Sequence, residues 1–316
     1  MKSKILILMA VYNGEKYIES QIESILNQSY HNWQLIIQDD GSTDGTMKII
    51  EKMKKTEPRI SVTHNTTEFH GAYENFYVLL NRTKNGDFGV DYDYVALSDQ
   101  DDIWDDARLA TEKKRLDGNN CPCLVYSNYS IIDEKANVIL NDANAQIGLV
   151  PHPSEAIFFA NAYVWGNTIM FNKNLLLKIN ITKNVITSGH PHDAYLAKAA
   201  VLLGNIEYLE DKLVKYRRFS GNVSASMWYK LSAKELLKKL APAKRPETLG
   251  VTLDQSYQIL KQYDSNNELL NVIVEGGVQG VEYLLKNRIK RKQFLRMFSM
   301  YIVFMIGTYK KWVKFD

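Results

Sequence analysis

The sequence predicts an α/β protein with a Rossmann-like, mostly parallel sheet, followed by a helical C-terminal extension. Three observations support this prediction. Short apolar runs typical of buried strands alternate with segments of helical periodicity through the first hundred residues. Acidic clusters directly follow the second and the fourth of these runs. Beyond about residue 231 the chain changes to helical segments rich in Lys and Leu.

The composition is that of a globular chain. Of the 316 residues, 45% are hydrophobic and 24% are charged, which excludes disordered, collagen-like and disulfide-scaffold proteins. The two cysteines, Cys121 and Cys123, are too close for an unstrained disulfide, and the chain has no second pair to complete a metal site. We therefore expect a reduced, cytoplasmic protein, and the short apolar run near Met1 predicts no signal peptide.

In the first half, we expect strands at residues 4–10, 33–38, 59–63 and 92–98. Helices are expected between them, over 18–26, 47–53 and 71–80, because apolar side chains such as Ile18, Ile22 and Ile25 recur at helical spacing. Strands and helices that alternate in this way form parallel sheets with right-handed crossovers. Ligands of such sheets bind at the carboxyl ends of the strands, where both acidic clusters are expected to lie.

The pattern is less regular after residue 120. We expect strands at 124–130, 163–171 and 208–217 and a helix at 194–203, followed by helices at 231–240, 253–263, 267–274 and 278–287. The change in character predicts two regions, a catalytic domain at 1–225 and a helical region at 226–316.

The second acidic cluster places Asp99, Asp101 and Asp102 directly after the apolar run 94–98. Carboxylate oxygens suit Mg²⁺ or Mn²⁺ shared with substrate phosphates. The same acids also suit the N-terminus of a helix beginning near Ile103, and the two interpretations are compatible.

The first acidic cluster, Asp39-Asp40-Gly41-Ser42, has two interpretations as well. It has the composition of a turn that caps the next helix. A carboxylate at a strand end could instead accept the N–H of a pyrimidine base, as acids of Rossmann sheets accept ribose hydroxyls.

Four segments in order carry a family resemblance: Ala-Val-Tyr-Asn-Gly at 10–14, Ser-Ile-Leu-Asn-Gln-Ser-Tyr at 24–30, Asp-Asp-Gly-Ser-Thr-Asp-Gly-Thr at 39–46, and Leu-Ser-Asp-Gln-Asp-Asp-Ile-Trp at 97–104. Together they resemble the family 2 inverting glycosyltransferases, which have the GT-A fold. The Gln inside the acidic motif and the Ile-Trp after it most resemble bacterial rhamnosyltransferases. The resemblance extends over about residues 4–225.

The resemblance implies roles for residues of the donor site. Asp39 would accept the N–H of the base, Asp99 would contact the ribose or the phosphates, and Asp101 would hold Mn²⁺ or Mg²⁺ on the diphosphate. The remaining donor-site residues would be Ala10 and Tyr12, which line the base pocket, together with Gln100, Arg217 and Arg218. Phe219 stands where relatives often have His, so that either Arg217 or Arg218 would carry more of the leaving-group charge or the dependence on metal would be weaker.

On the acceptor side, the resemblance implies that Asp193 is the catalytic base. A helix N-cap is the alternative interpretation of Asp193. Trp165, Asn167 and His192 would shape the pocket for the donor sugar and the acceptor.

The resemblance implies the transfer of a sugar with inversion. The Gln-x-x-Arg-Trp signature of processive synthases is absent, which favours the transfer of a single sugar over polymerisation. The resemblance favours L-rhamnose from dTDP-rhamnose and a lipid-linked cell-wall or capsular polysaccharide acceptor, with a UDP-hexose donor as the alternative. A sugar nucleotidylyltransferase would need a Gly-rich N-terminal loop, which this chain lacks. A non-catalytic nucleotide-sugar-binding module is disfavoured because the acidic cluster and Asp193 are both present.

From Lys286 onward the chain has nine basic residues and one acid, Asp316, around an apolar stretch at 294–306. This stretch is too short to span a bilayer. The pattern suits an interfacial helix on the cytoplasmic face of an anionic membrane, or a helix packed on its own domain or on a second subunit of a homodimer. No nucleic acid partner is expected.

Overall fold

The computed structural model describes residues 3–147, 155–159, 164–219, 245–287, 289 and 294–315. The expected domain boundary near 225 and the expected helix at 231–240 lie outside the described residues.

Within the described residues, nine strands form one mixed sheet in the order β3-β2-β1-β4-β8-β6-β9-β5, with β7 paired to β6. The strands are β1 Ile5–Val11, β2 Trp33–Asp39, β3 Ile60–His64, β4 Tyr94–Ser98, β5 Ile103–Trp104, β6 Cys123–Ile132, β7 Val138–Leu140, β8 Ile169–Asn172 and β9 Asn205–Arg217. Strands β3, β2, β1 and β4 are parallel, as predicted. Strand β8 is antiparallel to both β4 and β6, and β5 is antiparallel to β9.

Helices cover both faces of the sheet. They are α1 Ile18–Leu26, α2 Thr46–Lys54, α3 Ala72–Asn85, α4 Arg108–Leu116, α5 Ala143–Ile147, α6 Lys173–Lys178, α7 Lys183–Ile186, α8 His192–Leu203, α9 Arg245–Tyr263, α10 Glu268–Glu275, α11 Gly277–Lys286 and α12 Phe294–Ile306. Short 3₁₀ turns lie at Glu155–Phe159, Gly166–Thr168 and Thr308–Trp312. No helix in the described part of the chain is both long and apolar enough to cross a bilayer.

The buried strand β1 divides the core into two clusters. Ile5, Ile7 and Met9 face helices α1, α2 and α4, whereas Leu6 and Leu8 face the side covered by α3, α8 and the C-terminal helices. This alternation follows from the two-residue period of a strand. Because Leu253 of α9 and Phe304 of α12 belong to the same cluster as Leu6, the C-terminal helices share one core with the sheet.

Two expected elements are corrected by the structure. The strand expected at 163–171 begins at Ile169, after a 3₁₀ turn, and Tyr163 lies outside the described residues. The helix expected to begin near Ile103 begins at Arg108, because Ile103 and Trp104 pair with β9 as strand β5. The acids before Ile103 therefore do not cap a helix.

Candidate functional site

The candidate site lies at the carboxyl ends of β1, β2 and β4, which are neighbours in the sheet. Tyr12 follows β1, Asp39 ends β2 and Asp99 follows β4, so parallel pairing brings the segments at 10–14, 39–46 and 97–104 to one edge. Ala10, near the end of β1, is half-buried against the core.

The amide of Gln100 connects two of the loops at this edge. Its Oε1 accepts a hydrogen bond from the Tyr12 backbone N–H and its Nε2 donates to the Tyr12 carbonyl, both at 2.9 Å. The Tyr12 ring is 56% exposed at this position. Gln100 thus fixes the backbone that presents an aromatic face to solvent, a function that the sequence did not indicate.

Asp39 is buried and its carboxylate accepts the backbone N–H groups of Gly41, at 3.1 Å, and Ser42, at 3.2 Å. The turn predicted for this cluster is therefore present. An ionised carboxylate has about four acceptor positions, so these two bonds leave capacity for a ligand N–H.

The second acidic cluster brings Asp99, Asp101 and Asp102 together, with one oxygen of each within 4.8 Å of the others. Burial raises the pKa of all three carboxyls, and the neighbouring carboxylates raise the pKa of Asp101 and Asp102 further. A divalent cation would relieve this repulsion, and an all-oxygen donor set suits Mg²⁺ or Mn²⁺. The residues present therefore fit the metal that the sequence predicts.

Within this cluster, Asp102 also connects the 3₁₀ turn at Gly166–Thr168 to the end of β9. It is buried and accepts hydrogen bonds from the Asn167 side-chain amide and from the Arg217 backbone N–H, the latter at 2.9 Å. Asn167 is buried as well, so the structure places it as a support of Asp102. The prediction that Asn167 lines a sugar pocket gains no support from this position.

The two predicted arginines differ in their surroundings. The buried Arg217 guanidinium donates to the carbonyls of Asp101, Asp133 and Glu134 at 2.8–3.1 Å and lies 4.5 Å from the centre of the Tyr17 ring. Arg217 therefore connects the loop of the acidic cluster to the loop at Asp133 and Glu134. These contacts do not support the prediction that Arg217 binds the donor. Arg218 is half-buried, 5.5 Å from the Tyr216 ring.

The predicted base, Asp193, lies in the first turn of α8. Its carboxylate accepts the Gly166 N–H at 3.1 Å and the Ala194 N–H at 2.6 Å. Burial raises its pKa from the ordinary 3.8 to about 7, and the negative charge of Asp99 adds to the increase. Gly166, which donates to Asp193, is followed directly by Asn167, which donates to Asp102, so one short segment connects Asp193 to the acidic cluster.

His192 lies in an aromatic cluster beside Asp193. Its ring is buried and stacks on Phe76 at 4.1 Å, and neither ring nitrogen has a hydrogen-bond partner in the described part of the chain. Burial lowers its pKa to about 3, so the imidazole is neutral. The predicted place of His192 in a sugar pocket is not supported, because its ring packs inward. Gly166 allows this arrangement, since a Cβ there would lie 2.8 Å from the His192 Nε2.

Trp165, the remaining predicted pocket residue, is half-buried beside Gly166. Its ring stacks on Tyr216 with the ring centres 6.3 Å apart and meets Tyr129 edge-on. Trp165 is thus the member of the predicted sugar pocket that keeps partial exposure close to Asp193.

Sequence reasoning missed the contacts that hold the N-terminus of α8. Gln255 of α9 donates to the carbonyl of Pro191 at 2.9 Å and accepts from the buried Lys198 ammonium at 2.9 Å. His190 Nε2 lies 2.9 Å from an Asp254 oxygen. We call these contacts the α9 clamp. Polar residues on an amphipathic helix usually form a solvated face, so no sequence signal marks them.

A buried ion pair beneath the acidic cluster was also missed. Arg108 and Glu112 are both buried, with Arg108 Nε 3.2 Å from Glu112 Oε1. The positive charge of Arg108 acts against burial in setting the pKa of Asp99. Oppositely charged residues four positions apart on a helix usually form an ion pair on the protein surface, so the sequence gives no sign that Arg108 and Glu112 are buried.

The chain is similar in sequence to known glycosyltransferases. The sequence profile of Glycosyl transferase family 2 matches residues 6–187. The dTDP-rhamnosyl transferase RfbG of Shigella flexneri is 32% identical over 238 residues, 72% of this chain and 78% of that protein. The glycosyltransferase GlyG of Streptococcus pneumoniae serotype 4 is 23% identical over 230 residues, 71% of this chain and 73% of that protein.

Many solved structures share the fold. S. aureus TarS 1–349 in complex with UDP-GlcNAc aligns with a TM-score of 0.57 at 17% identity, covering 97% of this chain and 89% of that chain. The mannosyltransferase PcManGT from Pyrobaculum calidifontis, in complex with GDP-Man and Mn²⁺, aligns with a TM-score of 0.51 at 15% identity, covering 99% and 87%. The predicted GT-A fold with a helical C-terminal region is confirmed.

Proposed function

The chain belongs to glycosyl transferase family 2, and we propose that it transfers one L-rhamnose from dTDP-rhamnose to a lipid-linked glycan acceptor. The donor is supported by the similarity to the Shigella dTDP-rhamnosyl transferase over 72% of the chain. The observation that supports the proposal is that the adjacent residues Gly166 and Asn167 donate hydrogen bonds to Asp193 and to Asp102 of the acidic cluster, respectively. This arrangement combines a base with a diphosphate-binding site.

In this proposal the donor nucleotide lies over the carboxyl ends of β1, β2 and β4. The exposed Tyr12 ring stacks on the base, Asp39 accepts its N–H, and Ala10 borders the same pocket. Asp99 contacts the ribose or the phosphates. Gln100 acts on the donor indirectly, by holding the backbone of Tyr12.

Asp101, with Asp99 beside it, would hold the divalent cation, Mn²⁺ or Mg²⁺. When bound, the cation supplies positive charge that stabilises the departing diphosphate. Arg218 is the remaining candidate for charge near the leaving group, whereas Arg217 positions the loops that carry Asp101 and Asp102.

Asp193 takes the proton of the acceptor hydroxyl as that oxygen forms a bond to the anomeric carbon. The bond from this carbon to the diphosphate oxygen breaks, and its electron pair leaves with the nucleoside diphosphate. A single displacement of this kind inverts the anomeric configuration. A pKa of about 7 suits the task, because a general base is most effective when its pKa lies near the working pH. Trp165, half-buried next to Gly166, borders the sugar in this arrangement.

The role of Asp193 is tested by Asp193→Asn. We expect nucleotide binding to persist and turnover to fall by about 10²–10⁴-fold, because the amide cannot accept the proton. Asp106→Asn is a matched control, since its side chain is exposed before α4. Turnover that is unchanged in Asp193→Asn would show that another group is the base.

The donor is tested by calorimetric titration with dTDP, UDP, GDP and CDP, each with and without Mn²⁺. Preferential binding of dTDP that requires the metal supports the proposal. Preferential binding of UDP would keep the enzyme class and replace the donor with a UDP-hexose. Binding of none of the four would favour a non-catalytic module instead.

A further inference from the structure

Arg108, the first residue of α4, carries a positive charge and is fully buried. Its Nε lies 3.2 Å and 3.3 Å from the two carboxylate oxygens of Glu112, which is also fully buried. Apolar side chains of similar size in place of such a pair usually stabilise a protein as well or better. Stability of the fold alone therefore does not account for a buried charge at this position.

Two further hydrogen bonds of Arg108 join strands β4 and β8 where their pairing ends. The last antiparallel pair of these strands is Ala96 with Met170. In the same register Leu97 and Ile169 would pair next. Arg108 Nη2 donates to the carbonyls of these two residues, at 3.3 Å and 3.4 Å. One guanidinium nitrogen thus holds the two chains together at the point where they leave the sheet.

Both of these chains belong to the candidate site. On the β4 side, Leu97 lies two residues before Asp99, the first carboxylate of the acidic cluster. On the β8 side, Ile169 directly follows the 3₁₀ turn whose N–H groups donate to Asp102 and Asp193. The hydrogen bonds of Arg108 therefore connect the segment that carries Asp99 to the segment that holds Asp102.

The surroundings of Arg108 hold its guanidinium in one orientation. Its central carbon lies 3.8 Å from the centre of the Trp104 ring, while Glu112 binds Nε. An arginine side chain is a planar fork that can bond in several directions at once, whereas a lysine has one ammonium group on a flexible stem. A lysine at position 108 would keep the charge and lose this set of simultaneous contacts.

We propose that Arg108 is a positioning residue of the metal site, which fixes Asp99 relative to Asp102 by holding the ends of β4 and β8 together. The inference rests on the proposed function, in which the acidic cluster holds Mn²⁺ or Mg²⁺. Residues that orient the ligands of a metal commonly change its affinity by about 10–100-fold when they are replaced.

The test is titration of the full chain with Mn²⁺ alone, in which electron paramagnetic resonance measures the free ion. Arg108→Lys should weaken Mn²⁺ binding by about 10–100-fold. Arg108→Met/Glu112→Leu replaces the buried pair with apolar side chains and leaves the net charge unchanged. We expect the same loss of Mn²⁺ affinity in this double variant, with Tm equal to that of the wild type or higher. A residue that served only stability would not separate the two measurements in this way.

Arg59→Lys is the matched control. Arg59 pairs with Glu57 at 2.7 Å, and its guanidinium carbon lies 3.8 Å from the centre of the Trp33 ring. It directly precedes β3, at the end of the sheet opposite the candidate site. Mn²⁺ affinity should therefore be unchanged in Arg59→Lys.

Mn²⁺ affinity equal to that of the wild type in Arg108→Lys or in the double variant would overturn the proposal, as would a wild-type chain that binds no Mn²⁺. The nucleotide titrations report separately on the proposed glycosyl transfer. If no nucleotide binds while both Arg108 variants lose Mn²⁺ affinity, the proposed transfer fails and the role of Arg108 in the metal site stands.

Discussion

At the scale of single residues, the environment of Asp193 determines how activity depends on pH. Burial raises its pKa to about 7, which favours the protonated form, whereas a base acts only when ionised. With saturating metal, which offsets the charge of Asp99, kcat/KM should therefore rise about tenfold per pH unit up to a pKa of about 7 or below and level off above it. A pH–rate profile measures this limb, and an identical limb in the residual activity of Asp193→Asn would assign it to another group.

Gln100 allows a second test at this scale. Gln100→Leu removes both hydrogen bonds to the Tyr12 backbone, so the loop that presents the ring loses its support. We expect nucleotide affinity to fall by about 5–100-fold, the effect of two hydrogen bonds of ordinary strength. Calorimetry measures the affinity. Gln34→Leu is the control, because Gln34 also makes two side-chain hydrogen bonds but lies near the opposite end of β2.

Sequence reasoning located the edge of the site more reliably than it assigned individual side chains. Asp99, Asp101 and Asp102 lie together at the strand ends where strand alternation predicts them, whereas the prediction for Asp193 rests on the family resemblance alone. His192 and Asn167 were expected in a pocket and are buried in packing roles. A short polar motif shows where a strand or helix ends, but the direction of each side chain depends on partners such as Phe76 and Asp102, which lie far away in the sequence.

At the scale of elements, helix α9 supports the turn that carries Asp193. Gln255→Leu removes the hydrogen bond to the Pro191 carbonyl and the hydrogen bond that the buried Lys198 ammonium donates to Gln255. We expect kcat to fall about tenfold while nucleotide affinity stays constant, because small displacements of catalytic groups reduce rate. Steady-state kinetics and calorimetry separate the two effects.

Gln258→Leu, one turn further along α9, is the control for this prediction. Gln258 bonds to the backbone of Lys314 and does not contact the Pro191 turn. A loss of kcat as large in Gln258→Leu as in Gln255→Leu would mean that α9 acts through general stability and not through the clamp.

The parallel half of the sheet was predictable because its strands are consecutive, buried and separated by helices of regular period. The antiparallel strands were not. Strand β5 has two residues and forms only because Ile103 meets Lys215 on β9, more than a hundred residues later. Local pattern carries no information about such a pairing.

At the scale of the whole molecule, the C-terminal helices depend on close packing to join the core. A Cβ on Gly280 of α11 would lie 2.3 Å from the Phe304 ring of α12. Gly280→Ala should therefore destabilise the protein by about 1–3 kcal/mol, although the same change at an exposed helical site would stabilise it by about 1 kcal/mol. Denaturant unfolding gives the sign, and a stabilised variant would contradict the packing described here.

The α9 clamp also has a consequence for synthesis of the chain. Ribosomes add about 5–20 residues per second, so Gln255 and Lys314 emerge seconds after α8. By then, the nascent chain already contains every residue proposed to bind the donor. The bonds that fix Pro191, and that join Asp254 to the Lys314 backbone, form only when translation has reached them. The N-terminus of α8 therefore gains its support from α9 only after the residues of the proposed donor site have all been synthesised.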